Sequence, residues 1–272
     1  MTENSRLTDI HALHQRRARA TKEGMFLQES AANEIEDRLS VVNRAFTQPA
    51  IVTPFAEIWA ARIPQACIVP DHDTLDLEVG AHDLVIHATS LHWANDPVGQ
   101  LIQCRRSLKP DGMMIAVTFG GQTLEELRSC LAQAEINLAG GLSPRVAPMG
   151  EIRDLGALLQ RAGFALPVAD SLSLDTAYKD AFHLMHDLRE MGETNALTSR
   201  LRRPSPKRLF NETAELYAQN YTTDTGRVRA TFELVFLTGW APGEGQQQPL
   251  RPGSAKQRLS EALKVPEVPL RD

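Results

Sequence analysis

The chain is short of cysteine, of uninterrupted apolar residues and of positive charge, and each shortage removes a class of protein. Its three cysteines, Cys67, Cys104 and Cys130, are widely spaced and odd in number. That excludes a disulfide framework and a closely spaced zinc site, and it fits a reducing compartment such as a bacterial-type cytoplasm. No stretch approaches the roughly 18–20 uncharged apolar residues that cross a bilayer, and the nearest runs, such as 84–91, are far shorter. Lys and Arg total 29 against 34 Asp and Glu, a formal charge of -5. No global positive field therefore exists to hold nucleic acid or an anionic membrane. What is present is ordinary for a globular protein: 272 residues, 42% hydrophobic and 23% charged, enough for a sizeable core. The N-terminal Arg6, Arg16, Arg17 and Arg19 are interspersed with Glu3, Asp9 and Glu23 and lack an apolar block, so this segment reads as part of the mature chain.

Apolar periodicity predicts the elements. Phe26, Leu27, Ala31, Ile35, Leu39 and Val42 recur at helical spacing, giving an amphipathic helix over 26–46. Residues 50–69 are apolar but punctuated by Pro49, Pro54, Pro64 and Pro70, which leaves room for short strands or turns. The β-branched run 82–88 has the texture of a strand buried on both faces. A helix over 98–108, the turn Lys109-Pro110-Asp111-Gly112 and a second buried strand over 113–118 follow. Thr123 with Glu126 has the form of a capping box opening a helix that Gly140 and Gly141 stop. Later helices are expected over 151–162, 181–191 and 212–221, and strands over 164–174 and 229–239. The alternation predicts an α/β fold with a mostly parallel, doubly wound sheet. An N-terminal helical segment over 1–45 would precede an α/β domain over 46–242, and the Gly-, Pro- and Gln-rich residues 243–272 read as a disordered tail. Ligands in such sheets sit at the carboxyl ends of strands, so the loops after Ala88 and Thr118 are the first candidate sites.

Several motifs carry a resemblance. Asp83-Leu84-Val85 through Ser90-Leu91-His92-Trp93-Ala94-Asn95-Asp96, then Leu108-Lys109-Pro110-Asp111-Gly112 and Thr118-Phe119-Gly120-Gly121, resemble the second half of class I S-adenosylmethionine-dependent methyltransferases. Leu124-Glu125-Glu126-Leu127-Arg128, Leu142-Ser143-Pro144, Asp154-Leu155-Gly156 and Met191-Gly192-Glu193-Thr194-Asn195 are similar to the branch typified by complex I assembly factor 5. That branch is itself similar to the biotin-pathway malonyl-carrier methyltransferases. The resemblance covers about residues 26–242 and implies a Rossmann-like fold and S-adenosylmethionine as cofactor.

Such enzymes carry a glycine-rich loop after their first strand, because glycine lets the backbone approach the cofactor closely. Here no glycine lies between Gly24 and Gly80, and Ala50-Ile51-Val52-Thr53-Pro54-Phe55-Ala56 takes that place. Arg44 and Asp83 are only 39 positions apart, where two βα units and a third strand need about 60 residues. The N-terminal βαβ portion is therefore expected to be truncated or degraded, with the acid that ends the second strand lost. Asp71 or Asp73 would stand in for the acid that contacts the adenine side, with Ser90 and Leu91 flanking the cofactor. S-adenosylmethionine binding is expected to be weak or absent.

Each remaining candidate has a functional and a structural reading. His92 and Trp93 lie just past a buried strand, where an imidazole serves as general base and an indole stacks on ligand, or both pack the loop. Asn95 and Asp96 suit a helix cap. Gly120 and Gly121 mark a close approach to substrate or a plain turn, the turn being favoured. By resemblance, Ser143, Glu193 and Asn195 touch a substrate or partner, with capping as the alternative for the last two. His183 and His186 have a metal-compatible spacing without a third ligand, so no metal is expected. Arg200, Arg202, Arg203, Lys207 and Arg208 form a basic run that suits a solvated loop or an acidic partner, and no aromatic residues accompany it to stack on nucleic acid. The cysteines read as small buried residues. Three functions follow: a non-catalytic or weakly cofactor-binding accessory or assembly factor with a protein partner; an active methyltransferase acting on a protein or carrier-bound acid; and the arginine hydroxylation that the assembly-factor branch implies.

Overall fold

The computed structural model describes residues 6–246 together with Glu261 and Lys264. The chain divides into a unit spanning Met1–Pro242 and a short second one, Gly243–Asp272, and all the elements below belong to the first. Most of the expected tail lies outside the described residues.

Two helices come first, α1 (Ile10–Arg17) and α2 (Phe26–Val41). A short βαβ unit follows, β1 (Pro49–Val52), α3 (Ala56–Ala60) and β2 (Cys67–Val69), and irregular backbone leads to β3 (His82–Ala88). Beyond these come α4 (Pro97–Ser107), β4 (Leu108–Phe119), α5 (Glu125–Ala139), α6 (Ile152–Arg161), β5 (Ala165–Tyr178), α7 (Ala181–Glu190), α8 (Lys207–Tyr221) and β6 (Val228–Trp240). The six strands form one sheet in the order β2-β1-β3-β4-β6-β5. The first four are mutually parallel, and β6 lies antiparallel between β4 and β5. This is the mostly parallel α/β sheet that the resemblance leads one to expect, with a short leading portion. The five-residue α3 is all that joins β1 to β2, and residues 70–81 add no strand outside β2.

Alternation along β4 builds both cores. Met113, Ile115, Val117 and Phe119 point to a face covered by Leu27, Ala31 and Ile35 of α2, Leu127 and Leu131 of α5 and Tyr217 of α8. Met114 and Ala116 point to the other, covered by Leu101 and Cys104 of α4 and Leu159 of α6. All seven residues of β3 are buried, as its apolar run requires. β5, at the sheet edge, has no fully buried residue.

Local departures from expectation have physical causes. Lys109-Pro110-Asp111-Gly112 is absorbed into β4 as an irregularity, the pairing jumping from His82 with Leu108 to Leu84 with Met113 while Asp111 takes a φ of 62°. Thr123 does not cap α5. Its hydroxyl is exchanged with the Glu233 backbone at 3.1 and 3.2 Å, and left-handed Leu124 precedes the helix. Glu126, the expected capping partner, turns to β6 and accepts from the Thr231 hydroxyl and amide. Cys67 is exposed, since it opens the edge strand β2, whereas Cys104 and Cys130 are buried with thiols that burial pushes up to about 12 and about 11.

Candidate functional site

β3 delivers the chain to the carboxyl edge of the sheet, where Thr89 adopts a φ of 48° and a single 3-10 turn, Leu91–Trp93, follows. The turn sends Trp93 and His92 inward to meet Glu193, just past the end of α7. The Trp93 indole N–H donates to Glu193 Oε2 at 2.6 Å, and His92 Nε2 lies 3.2 Å from the same oxygen. The side chains of His92 and Glu193 are 2% and 7% exposed. Burial raises the Glu193 carboxyl pKa, but contacts from His92, Arg17 and Trp93 outweigh it and hold the group below the usual carboxylate range. The other oxygen, Oε1, has no hydrogen-bond partner among the described residues. The His92 ring also packs on Phe119, with centroids 4.7 Å apart.

Glu193 reaches this position because Gly192 closes α7 at a φ of 76°. A Cβ there would also meet the Arg17 backbone at 2.9 Å. The end of α1 is therefore packed against Gly192, and this contact carries Arg17 into the interior. Arg17 Nη1 bonds Asp71 Oδ2 at 2.8 Å, with both side chains more than nine-tenths buried at 6% and 9% exposure. Burial pushes the Asp71 carboxyl up, and Arg17 more than reverses the shift. Beneath them, His87 Nε2 meets Gln100 Oε1 at 2.9 Å, and the Gln100 amide donates to the His72 carbonyl at 3.0 Å. Burial pushes His87 below its ordinary value, so it is held neutral.

The residues after β1 do not fit S-adenosylmethionine. A glycine-rich loop offers free backbone N–H groups and room for the ligand to reach them. In this chain the Thr53 amide donates to the Val69 carbonyl at 3.0 Å and the Phe55 amide to Thr53 Oγ1 at 3.1 Å. Pro54 between them has no N–H. Three successive positions thus present no free backbone N–H to a ligand. Asp71 does lie two residues past β2, which corrects the expectation that the acid ending the second strand is lost. Its carboxylate, however, is already taken by Arg17.

The other half of the edge is open. A cavity of about 300 Å3 lies against Trp93, Phe119, Leu127, Met149, Leu188 and Glu193, mostly apolar, with the carboxylate, Thr123, Thr194, Arg145, Arg189 and Asn195 as its polar lining. Of the other candidates, Ser90 is buried with its hydroxyl unpartnered and Leu91 packs in the α4-side core. Asp73 is exposed, with its backbone carbonyl accepting from Gln103. Gly120 and Gly121 make a crowded turn, where added Cβ atoms would lie 2.5 Å from Glu233 and 2.3 Å from Glu151. Ser143 donates through its amide and hydroxyl to Glu135. Asn195 donates to the Pro144 carbonyl and accepts from the Leu197 amide. Asp96 caps α4 through the Gly99 amide, while Asn95 is exchanged with the Thr8 backbone instead. His183 pairs with Asp180 and His186 with Glu190, both at the surface. Among the described residues, no three His, Cys, Asp or Glu side chains are placed to share a metal ion. No helix among them is long and apolar enough to cross a membrane.

Sequence reading missed Arg17, Asp71 as its partner, and His87. Arg17 gives no signal, being one arginine among several, but a histidine inside the apolar run of β3 is a polar group needing a buried partner.

Comparison with known proteins agrees with this architecture. The family described as methyltransferase domain matches residues 40–116. The Danio rerio protein named arginine-hydroxylase NDUFAF5, mitochondrial, is 34% identical over 238 residues, 86% of this chain and 73% of that one. The malonyl-[acyl-carrier protein] O-methyltransferase of Laribacter hongkongensis is 32% identical over 193 residues, 71% of this chain and 62% of that one. The chain spans from 41% to 73% of the length of the arginine-hydroxylase relatives it matches. In fold it is similar to the crystal structure of YcgJ protein from Bacillus subtilis, with a TM-score of 0.50 at 10% identity, covering 79% of this chain and 100% of that one.

Proposed function

The chain belongs to the methyltransferase-domain family of the proteins named arginine-hydroxylase NDUFAF5, and from that premise we propose that it is a non-catalytic or weakly cofactor-binding accessory factor of the complex I assembly type. The observation that carries this reading is the closed cofactor edge. The amides after β1 are spent on the protein itself, Pro54 interrupts them, and Arg17 holds the carboxylate at the end of β2. The half of the sheet edge that would face a substrate keeps its cavity. A fold that closes one half and preserves the other suits a binding platform with a protein partner. Its three free cysteines suit a reducing compartment, such as a bacterial-type cytoplasm.

One observation favours the alternative, an active S-adenosylmethionine-dependent methyltransferase acting on a protein or carrier-bound acid. The buried His92–Glu193 pair borders the cavity, with an imidazole oriented by a carboxylate. Thermal unfolding with S-adenosylmethionine and S-adenosylhomocysteine separates the two. A ligand that binds only the folded state raises the midpoint, by about 2.7 kcal/mol of stability at a hundredfold excess over Kd. The accessory reading expects no shift at micromolar ligand, and a saturable rise there would return the enzyme reading to the front.

A further inference from the structure

A groove beside the cavity is lined by Arg16, Ser143, Arg145, Asn195, Arg200 and Arg202. It brings together three stretches that the closed cofactor edge leaves without a role: the Leu142-Ser143-Pro144 motif, Asn195 and the basic run. Its four arginines face two carboxylates. Asp9 serves Arg200 at 2.8 Å and Arg202 at 3.4 Å, and Glu135 serves Arg145 at 2.8 Å. Arg16 is held only by the backbone carbonyls of Thr194 and Asn195, and among the described residues no carboxylate lies at ion-pair distance from it. Burial above all, and then the neighbouring Arg200, push the Arg16 guanidinium below its ordinary value, while Asp9 opposes the shift. The surface continues into a second depression that adds Arg203 and Arg208 beside Arg145 and Ser205. A chain of net charge -5 thus gathers more arginines than carboxylates in one place.

The groove and the apolar cavity are contiguous, since Arg145 and Asn195 line both. A ligand matching the whole feature needs negative charge along an extended path and an apolar group beside it. We propose that the groove docks an acidic segment of a protein partner, one apolar side chain of which enters the cavity. This rests on the reading of the chain as a partner-holding accessory factor and states that partner's chemistry. Two depressions strung with arginines exceed what a single small anion can meet. Neither depression has an aromatic lining residue on which a base could stack, as single-stranded nucleic acid prefers.

Fluorescence anisotropy of the full chain tests this with a labelled synthetic peptide carrying a run of glutamates beside one leucine. Its lysine counterpart, a version with glycine for leucine, a labelled oligonucleotide and dodecanoate as competitor complete the set. The acidic peptide is expected to bind saturably, at least about tenfold tighter than the lysine peptide, to weaken as salt is raised, and to lose affinity without its leucine. The double variant Arg202→Glu/Arg203→Glu leaves the Arg200–Asp9 and Arg145–Glu135 pairs in place. Arg202 is 66% exposed, so the variant is expected to unfold at the wild-type midpoint yet bind the acidic peptide about tenfold or more weakly. The proposal is overturned by equal binding of both peptides, by no saturable binding at millimolar concentration, or by an unaffected folded variant. Tighter binding of the oligonucleotide, or complete displacement by dodecanoate, overturns it as well. The two readings fail separately. Binding of S-adenosylmethionine would sink the non-catalytic one and leave the groove, and absence of acidic-peptide binding would do the reverse.

Discussion

Glu193 is the residue on which the site's polar contacts converge, with the Trp93 indole and the His92 imidazole on one oxygen and the other left free. Trp93→Phe keeps the aromatic body and removes the donor. Hydrogen bonds to a buried charged group contribute about 1.5–3 kcal/mol, and urea unfolding is expected to show a loss of that order. A variant within about 0.5 kcal/mol of wild type would mean that the carboxylate does not rely on the indole. His92→Ala is expected to act on folding and partner binding rather than on turnover. His87 gives a pH dependence whose sign follows from its depressed pKa. The unfolded chain takes up the proton below about 6.5 while the folded one resists it, so stability is full above that pH and declines as pH falls below it. Asp71 is depressed below 3.8 by Arg17 after burial has opposed the shift, so its contribution is present above about pH 4 and lost in a separate, more acidic window. Denaturant titrations between pH 7 and pH 5 should show the first decline, and His87→Asn should flatten it. An unchanged slope would place the proton uptake elsewhere. His92 and Trp93 were legible in the sequence because they follow a buried strand. Their partner lies about a hundred positions away, and no local pattern announces it.

Among the elements, α1 is what covers the residues just after β2. Gly192 lets its last turn approach, and Arg17 then enters to meet Asp71. Removing one member of a buried pair strands the other charge, so Arg17→Ala is expected to cost about 3–5 kcal/mol in denaturant unfolding. Arg17→Met combined with Asp71→Leu removes both charges and is expected to recover most of that loss. A double variant no better than the single one would show that the pair acts by more than mutual compensation. The long apolar or periodic elements, α2, β3, β4 and β6, could be read from the sequence because burial on a regular repeat dictates their pattern. The capping box at Thr123 could not be read correctly. Glu126 finds its donors on β6, more than a hundred residues on, and that distant pairing overrides the local rule.

Over the whole molecule, the sheet has short strands on the β2 side and long ones from β4 onward. The family was legible because its motifs fall on the half with the long strands, and the glycine-free stretch coincides with the short ones. The groove was not, since Arg16, Arg145 and Arg200 are far apart in sequence and become neighbours only through the packing of α1 and the segments after α5 and α7. Isothermal titration calorimetry of the intact chain with S-adenosylmethionine decides whether the cofactor edge is shut, as proposed. A shut edge gives no saturable heat at micromolar ligand, and saturable binding at that concentration means that the edge is open.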